Sequence, residues 1–330
     1  MRLGRLSLDG FLLALVGAIT VASLHPALGA SGGPLHLEQV SAASVSLVFF
    51  LHGAALSLDA LAAGARRWRL HLLVQAFTYG VFPALGALVL VVGGQRLPGG
   101  LAVGFFFLCV VSSTISSSVA MTAVARGNVA GAVFNATLSG VLGVLLSPLY
   151  ASIVANTAGL TVPLPQAIGA IALKVLLPLA VGQVLSKALA ATLRRHRALI
   201  GWVDRASIVL IVYVAFCDSF AAGIWQRDSI GSVLVVVLLS IALFATVTAG
   251  LLAASRLLGF DHGDEVAALF CGTQKSVANG LPIARVLFGG SPLLGFIVLP
   301  LIIYHQVQLA IGAVIARRYA ATAPAVAPVP

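Results

Sequence analysis

The sequence predicts an all-α polytopic membrane protein of ten transmembrane helices, with residues 1–330 forming a single membrane domain. Composition is the first reason. Hydrophobic residues make up 60% of the chain and charged residues 8%, whereas a soluble domain is about a quarter charged. Patterning is the second. Apolar runs of about 20 residues, the length that crosses a bilayer, follow one another with only short polar or Gly/Pro breaks between them. Charge placement is the third, because Lys and Arg collect in alternate breaks, as they do in cytoplasmic loops.

The runs cover roughly 8–29, 40–63, 70–93, 100–124, 129–154, 164–191, 201–223, 229–257, 264–287 and 292–317. Arg2 and Arg5 precede the first, and Ala27-Leu28-Gly29-Ala30 is faintly like a signal-peptidase site. An uncleaved first span is expected, because removing it would leave an odd count. With the N-terminus inside, the inner loops collect Arg2, Arg5, Arg66, Arg67, Arg69, Arg126, Lys187, Arg194, Arg195, Arg197, Arg205, Arg256, Arg317 and Arg318. The outer loops collect Arg96, Arg227 and Arg285. This bias places a multi-pass protein in the cell membrane with both termini cytoplasmic. The Ala/Pro-rich stretch 320–330 is low in complexity and expected to be disordered. The net charge of +10 is accounted for by the inner loops, so no nucleic-acid partner is implied. Cys109, Cys217 and Cys271 all lie within apolar runs and have neither disulfide nor metal spacing.

The chain repeats itself weakly at an offset of 159: Thr114 matches Thr273, Ser117 matches Ser276, and Ala125-Arg126 matches Ala284-Arg285. Both windows fall in the fourth run of a five-run half. The halves, 8–154 and 164–317, are therefore read as two repeats. An odd number of spans per half makes the second copy inverted, and such repeats with interrupted helices in matching positions point to a binding site between them.

The second window, Cys271-Gly272-Thr273-Gln274-Lys275-Ser276-Val277-Ala278-Asn279-Gly280-Leu281-Pro282, is polar within an otherwise apolar span. Gly272, Gly280 and Pro282 are read as its helix breakers. Irregular backbone at membrane depth survives only where protein buries it or water reaches it, so the polar side chains are expected to face a cavity. The first window, Val111-Ser112-Ser113-Thr114-Ile115-Ser116-Ser117-Ser118, holds six hydroxyls that satisfy backbone carbonyls or offer ligand oxygens. Lys275 is the most informative residue, since an intramembrane cation costs at least about 2.5–3.5 kcal/mol and is usually paired or functional. It serves either as a tether to carbonyls at the break or in cargo and cation chemistry. Lys174 and Asp218 are expected to form an ion pair. His52, His305, Gln306 and Gln308 lie near mid-span, and Gln75, Thr78, Asn135, Thr137 and Ser139 complete the polar inventory. A lone intramembrane His is more often a hydrogen-bonded structural group than a proton relay. No nucleophile triad, metal-ligand pair or phosphate loop appears, which argues against an enzyme.

Ala125-Arg126-Gly127-Asn128-Val129-Ala130 after the hydroxyl-rich window is similar to the cytoplasmic junction of the bile acid:sodium symporter family. Trp68-Arg69-Leu70-His71, Asp204-Arg205, Cys271-Gly272-Thr273-Gln274-Lys275-Ser276 and Tyr304-His305-Gln306-Val307-Gln308-Leu309 resemble its divergent SBF-like CPA transporter branch. The resemblance runs from about residue 8 to 320. It implies ten helices in two inverted five-helix repeats, with spans one, two, six and seven as a panel and the rest as a core in which broken helices four and nine cross. Cargo would bind between the two, and the core would move against the panel.

The chain departs from the family pattern where sodium is held. The family's Ser-Asn pair falls on Ser118-Val119, its glutamate on Phe270, its crossover asparagine on Lys275 and its polar ligands from span five on Ala132 and Ala136, while the glutamine is kept as Gln274. The fold carries over; the coupling ion does not. Lys275 is expected to take a sodium ion's place by bonding freed carbonyls with its three donors.

The function expected is secondary active transport of a small organic anion with an apolar body, bile-acid-like or another amphipathic acid. The alternatives are a regulatory or scaffold protein that keeps the fold without flux, and a passive channel. No cofactor is expected; the open choices for a coupling ion are sodium and a proton. Beyond the cargo and the lipid bilayer no partner is indicated, and nothing specifies an oligomeric state. The binding candidates are Gln75, Thr78, Thr114, Ser116, Ser117, Ser118, Asn135, Thr137, Thr273, Gln274, Lys275, Ser276, Asn279, His305 and Gln308, with no metal site among them.

Overall fold

The computed structural model describes residues 10–55, 66–93, 97, 100–157, 164–226 and 229–322. Long apolar stretches without strand-like alternation form helices, and no strand occurs among the described residues. The labelled helices are α1 (Gly10–Leu24), α2 (Leu37–Ala55), α3 (Trp68–Gly93), α4 (Leu101–Val110), α5 (Ser116–Val124) and α6 (Val129–Thr157). After them come α7 (Leu164–Ile171, Ala172–Leu176 and Leu177–Arg195 end to end), α8 (Arg197–Ala221), α9 (Ser229–Leu257), α10 (His262–Thr273), α11 (Val277–Phe288) and α12 (Leu294–Thr322). Among the described residues, α2, α3, α6, α7, α8, α9 and α12 are long and apolar enough to cross a membrane, while α1 and α4 are shorter apolar helices.

Two packed units emerge. In one, α1 lies on α8, and α2 packs on α7 and α8. The α2–α7 seam is unusually close. A Cβ on Gly53 would sit 2.0 Å from the Leu179 carbonyl oxygen, and one on Gly182 would sit 2.1 Å from that of Phe50. Small residues at such crossings let backbones approach, which compensates for the lack of a hydrophobic force between helices in lipid. The larger unit contains α3 to α6 and α9 to α12. Every residue of α4 is buried, as expected of a helix that is apolar all round and enclosed by protein; α3, α6 and α12 cover it.

The two units meet at one end. There α11 packs on α2, α8 and the start of α7, and α12 packs on α8. Ser219 Oγ donates to the Pro292 carbonyl at 2.7 Å, and Trp225 lies against Phe296 with ring centroids 4.3 Å apart. At the opposite end, the one bearing Arg67, Arg126, Arg205 and Arg256, α5 and α10 pack within the larger unit and, among the described residues, make no extended contact with the smaller. Among the described residues, the contacts between the two units are therefore concentrated at the end where α11 and α12 meet α8.

Several expectations change. The expected Lys174–Asp218 pair does not form. Asp218 instead faces Arg285, 3.7 Å from Nη1 to Oδ2, and accepts from the Ser31 backbone N–H (2.6 Å) and Oγ (2.9 Å). Arg285, counted above as a loop residue, lies in the last turn of α11 with 8% of its side chain exposed. Residues 320–322, placed in the disordered tail, continue α12, which runs on from a largely apolar stretch; 323–330 lie outside the described residues. The later part of the second run, 56–63, also lies outside them.

Candidate functional site

Both polar windows interrupt their helices. After α4, residues 111–115 leave the helix before α5 begins; after α10, Gln274–Ser276 do the same before α11. Each break frees carbonyls at one helix end and N–H groups at the next. The segments cross, and each supplies what the other lacks. Ser276 N–H donates to the Ser112 carbonyl at 2.8 Å. Asn279 Nδ2 donates to Ser112 Oγ at 2.8 Å, Ser113 Oγ to the Cys271 carbonyl at 2.7 Å, and Ser118 Oγ to the Phe270 carbonyl at 3.1 Å.

Lys275 closes the crossing. It is fully buried, and Nζ donates to the carbonyls of Cys109 (2.8 Å), Val111 (2.9 Å) and Thr78 (3.2 Å). Those three bonds use all the donors of an ammonium. Two of the acceptors terminate α4, at the negative end of its dipole. The third comes from a π-turn in α3, Phe77–Val81, a widening that often marks functional positions. Nζ also lies 4.0 Å from the Phe82 ring centroid, a favourable cation–π position. The Lys275 backbone is held as firmly: its N–H donates to Gln308 Oε1 at 2.7 Å, and its carbonyl accepts from Gln308 Nε2 at 2.9 Å. Gln308 Nε2 is also 2.8 Å from His305 Nδ1.

The other candidates take defined places. Ser117 Oγ donates to Gln274 Oε1, with Thr114 Oγ1 3.4 Å from Ser117 and Ser118 Oγ 3.3 Å from the same Gln274 oxygen. Gln274 Nε2 reaches Met121 Sδ at 3.0 Å. Gln75 Nε2 donates to the Asn135 carbonyl at 3.2 Å, behind the crossing. Thr78 Oγ1 bonds back to Val74 and contributes only its carbonyl to Lys275. Thr273 Oγ1 bonds back to Leu269, and Ser276 Oγ caps α11 by accepting from Asn279 N–H. Thr137 is half-buried on α6, and no described hydrogen bond brings it to the crossing. Ser116 is exposed at the first turn of α5.

Two expectations need correction. Gly280 and Pro282 lie inside α11 and do not break it. The interruption is three residues long because Gln308, Ser112 and Tyr304 stabilise it from outside. A Cβ on Gly280 would meet Leu301 at 2.4 Å, and one on Gly272, in the last turn of α10, would meet Leu251 at 2.8 Å; both glycines serve close packing. Thr273, Gln274, Lys275 and Ser276 do not face a cavity. All four are buried, with their polar atoms spent on protein partners.

Tyr304, whose hydroxyl donates to the Thr273 carbonyl at 2.7 Å, and Tyr79, whose hydroxyl donates to the Ser139 carbonyl, are not among the binding candidates read from sequence. Tyrosines are common within apolar spans, so only their partners mark them. Ala132 and Ala136 are fully buried, and the Ala132 carbonyl faces Cys271 Sγ at 3.5 Å. No side-chain oxygen for a sodium ion arises at these two positions.

What remains open on the crossing is the start of α5. Thr114 is half-buried, Ile115 and Ser116 are exposed, and α5 makes no extended contact with the smaller unit among the described residues. No side chain caps α5, and no described hydrogen bond engages the backbone N–H of Ser116, Ser117 or Ser118.

Comparison with known proteins places the chain in a family. The model of the SBF-like CPA transporter family matches residues 9–321. The chain is 41% identical over 319 residues to the putative symporter YfeH of Escherichia coli, covering 97% of this chain and 95% of that one. It is 32% identical over 316 residues to sodium/bile acid cotransporter 7 of Danio rerio, covering 95% and 94%, and 30% identical over 310 residues to the Mus musculus protein of that name, covering 93% and 91%. These relatives are transporters and not enzymes. A multi-pass helical chain with a family match over nearly its whole length belongs to the SBF-like CPA transporter family.

Proposed function

We propose that this protein is a secondary active transporter of small organic anions with apolar bodies, working by alternating access and without a need for sodium. Its ten spans form two inverted five-helix repeats, 8–154 and 164–317, in which α4–α5 and α10–α11 are the fourth and ninth. Both termini are cytoplasmic, and the two units part on the cytoplasmic side. The observation that carries this reading is the unblocked N-terminus of α5 at the crossing, with exposed Ser116 and half-buried Thr114 beside it. A helix N-terminus with free N–H groups and hydroxyls suits a carboxylate or sulfonate, and exposed Ile115 beside it offers apolar surface to the anion's body. The names of the relatives, a putative symporter and sodium/bile acid cotransporters, agree in class.

Independence from sodium rests on Lys275. Its fixed ammonium already neutralises the carbonyl-rich end of α4, the position where a bound cation would otherwise be required. Coupling, if driven by an ion, then falls to the proton. The test is counterflow in proteoliposomes with taurocholate as the probe anion. Saturable exchange should persist when choline replaces sodium and should fall when Ser116→Leu closes the α5 start. Absence of exchange for taurocholate and other amphipathic acids, with the fold intact, would favour a regulatory protein.

A further inference from the structure

The end where the two units meet carries charges that the crossing does not use. Arg285, in the last turn of α11, is a nearly buried cation on the larger unit. Its carboxylate partner, Asp218, belongs to α8 of the smaller unit, with 12% of its side chain exposed. Arg285 Nη1 also donates to the Gly289 carbonyl at 3.2 Å, and the cation lies within electrostatic reach of Glu38 at the start of α2. Asp218 is held from its own side by Ser31. A charged pair divided between two bodies fastens them together, and removing one member leaves the other buried without compensation.

Beside this pair lies a pocket of about 200 Å³ on the seam itself, lined by Ala42 and Val45 of α2, Lys174 of α7, and Arg285, Val286, Gly289 and Gly290 from the other unit. Lys174 sits on the π-turn Ala172–Leu176 and has no carboxylate within ion-pair distance among the described residues. The pocket thus presents two cations from opposite units, one committed to Asp218 and one uncommitted.

We infer that Lys174 and Arg285 form an anion-receiving site on the outer seam, where a carboxylate or sulfonate displaces Asp218 from Arg285 and frees α11 from α8. The anion supplies the charge that Asp218 had supplied, so Arg285 is never left unpaired while the seam opens. A ligand shifts a conformational equilibrium only through differential affinity for the two states. Here the difference is that both cations are available to the anion only once Asp218 has withdrawn. The inference rests on the alternating-access reading, for which this is the side that must part.

The test is a cysteine at Val286, in the full chain with Cys109, Cys217 and Cys271 replaced by Ala, labelled from outside by an impermeant maleimide. Asp218→Asn should raise the labelling rate at least about tenfold without added anion, because Arg285 is then left nearly buried without its partner. Reversing the pair, Arg285→Asp with Asp218→Arg, should bring the rate back toward the parent's, which separates a lost fastening from misfolding. Methanesulfonate in place of chloride at equal ionic strength should speed labelling in the parent and not in Lys174→Gln. An unchanged rate in Asp218→Asn, failure of the reversal, or equal rates in the two salts would each overturn the inference. Counterflow is measured separately. Flux without a methanesulfonate effect sinks this site and leaves transport standing; a methanesulfonate effect without flux does the reverse.

Discussion

Replacing Lys275 with Met removes the ammonium and keeps most of the stem. Three carbonyls, those of Thr78, Cys109 and Val111, then lose their donor in a site closed to water. Each orphaned acceptor costs about 1–3 kcal/mol, together roughly 3–9 kcal/mol. Against this stands the relief of no longer burying a charge, several kcal/mol. The net should be a loss of about 3–5 kcal/mol, the range seen when one member of a buried charged arrangement is removed. Lys275→Arg should not rescue it, because a planar guanidinium does not fit a fully enclosed site shaped for an ammonium. The assay is thermal unfolding of the purified protein in detergent, followed by tryptophan fluorescence, with no ligand added. A midpoint several degrees below the parent's is expected for both variants. A Lys275→Met protein that unfolds with the parent would refute the idea that the ammonium holds the crossing together.

Further predictions follow from other contacts. Lys275→Ala leaves a space lined by three carbonyl oxygens, so sodium should raise its unfolding temperature relative to choline while leaving the parent unmoved. Gln308→Leu strips both partners from the Lys275 backbone and should cost about 2–4 kcal/mol by the same assay. Gly182→Val places side-chain carbon against the Phe50 carbonyl, and the folded yield, read by size-exclusion chromatography, should collapse. For topology, Gly290→Cys should react with an impermeant thiol reagent added outside and His196→Cys should not; the opposite pattern would invert the orientation.

Much of this arrangement is legible in the sequence, and the exceptions have physical causes. Lys275 stands out because no other span carries a cation amid so many polar neighbours, and its three donors anticipate three carbonyls. The hydroxyl-rich window announces a break because serines can bond stray carbonyls. The exact site of the second break was not readable from Gly280 and Pro282. Glycine marks close packing as readily as unwinding, and only the contacts of Leu301 distinguish the two. Expecting a cavity around Gln274 and Ser276 failed for a related reason: the two segments cross, and each uses up the other's polar groups. The Lys174–Asp218 pair does not form because Arg285, in the last turn of α11, reaches the seam and takes Asp218 itself, a tertiary contact that span positions alone do not reveal. The π-turn that brings the Thr78 carbonyl to Lys275 leaves no distinctive mark in residue type, since the Phe-Thr-Tyr-Gly-Val of Phe77–Val81 suits an ordinary helical turn as well.

The central claim is that a fixed lysine does at this crossing what a bound sodium ion would do. Binding of radioactive sodium to the purified protein tests it most directly. The account predicts no saturable binding that unlabelled sodium displaces. Saturable, displaceable binding, above all with a Hill coefficient of about two, would show that oxygens elsewhere hold sodium and that Lys275 has not replaced it.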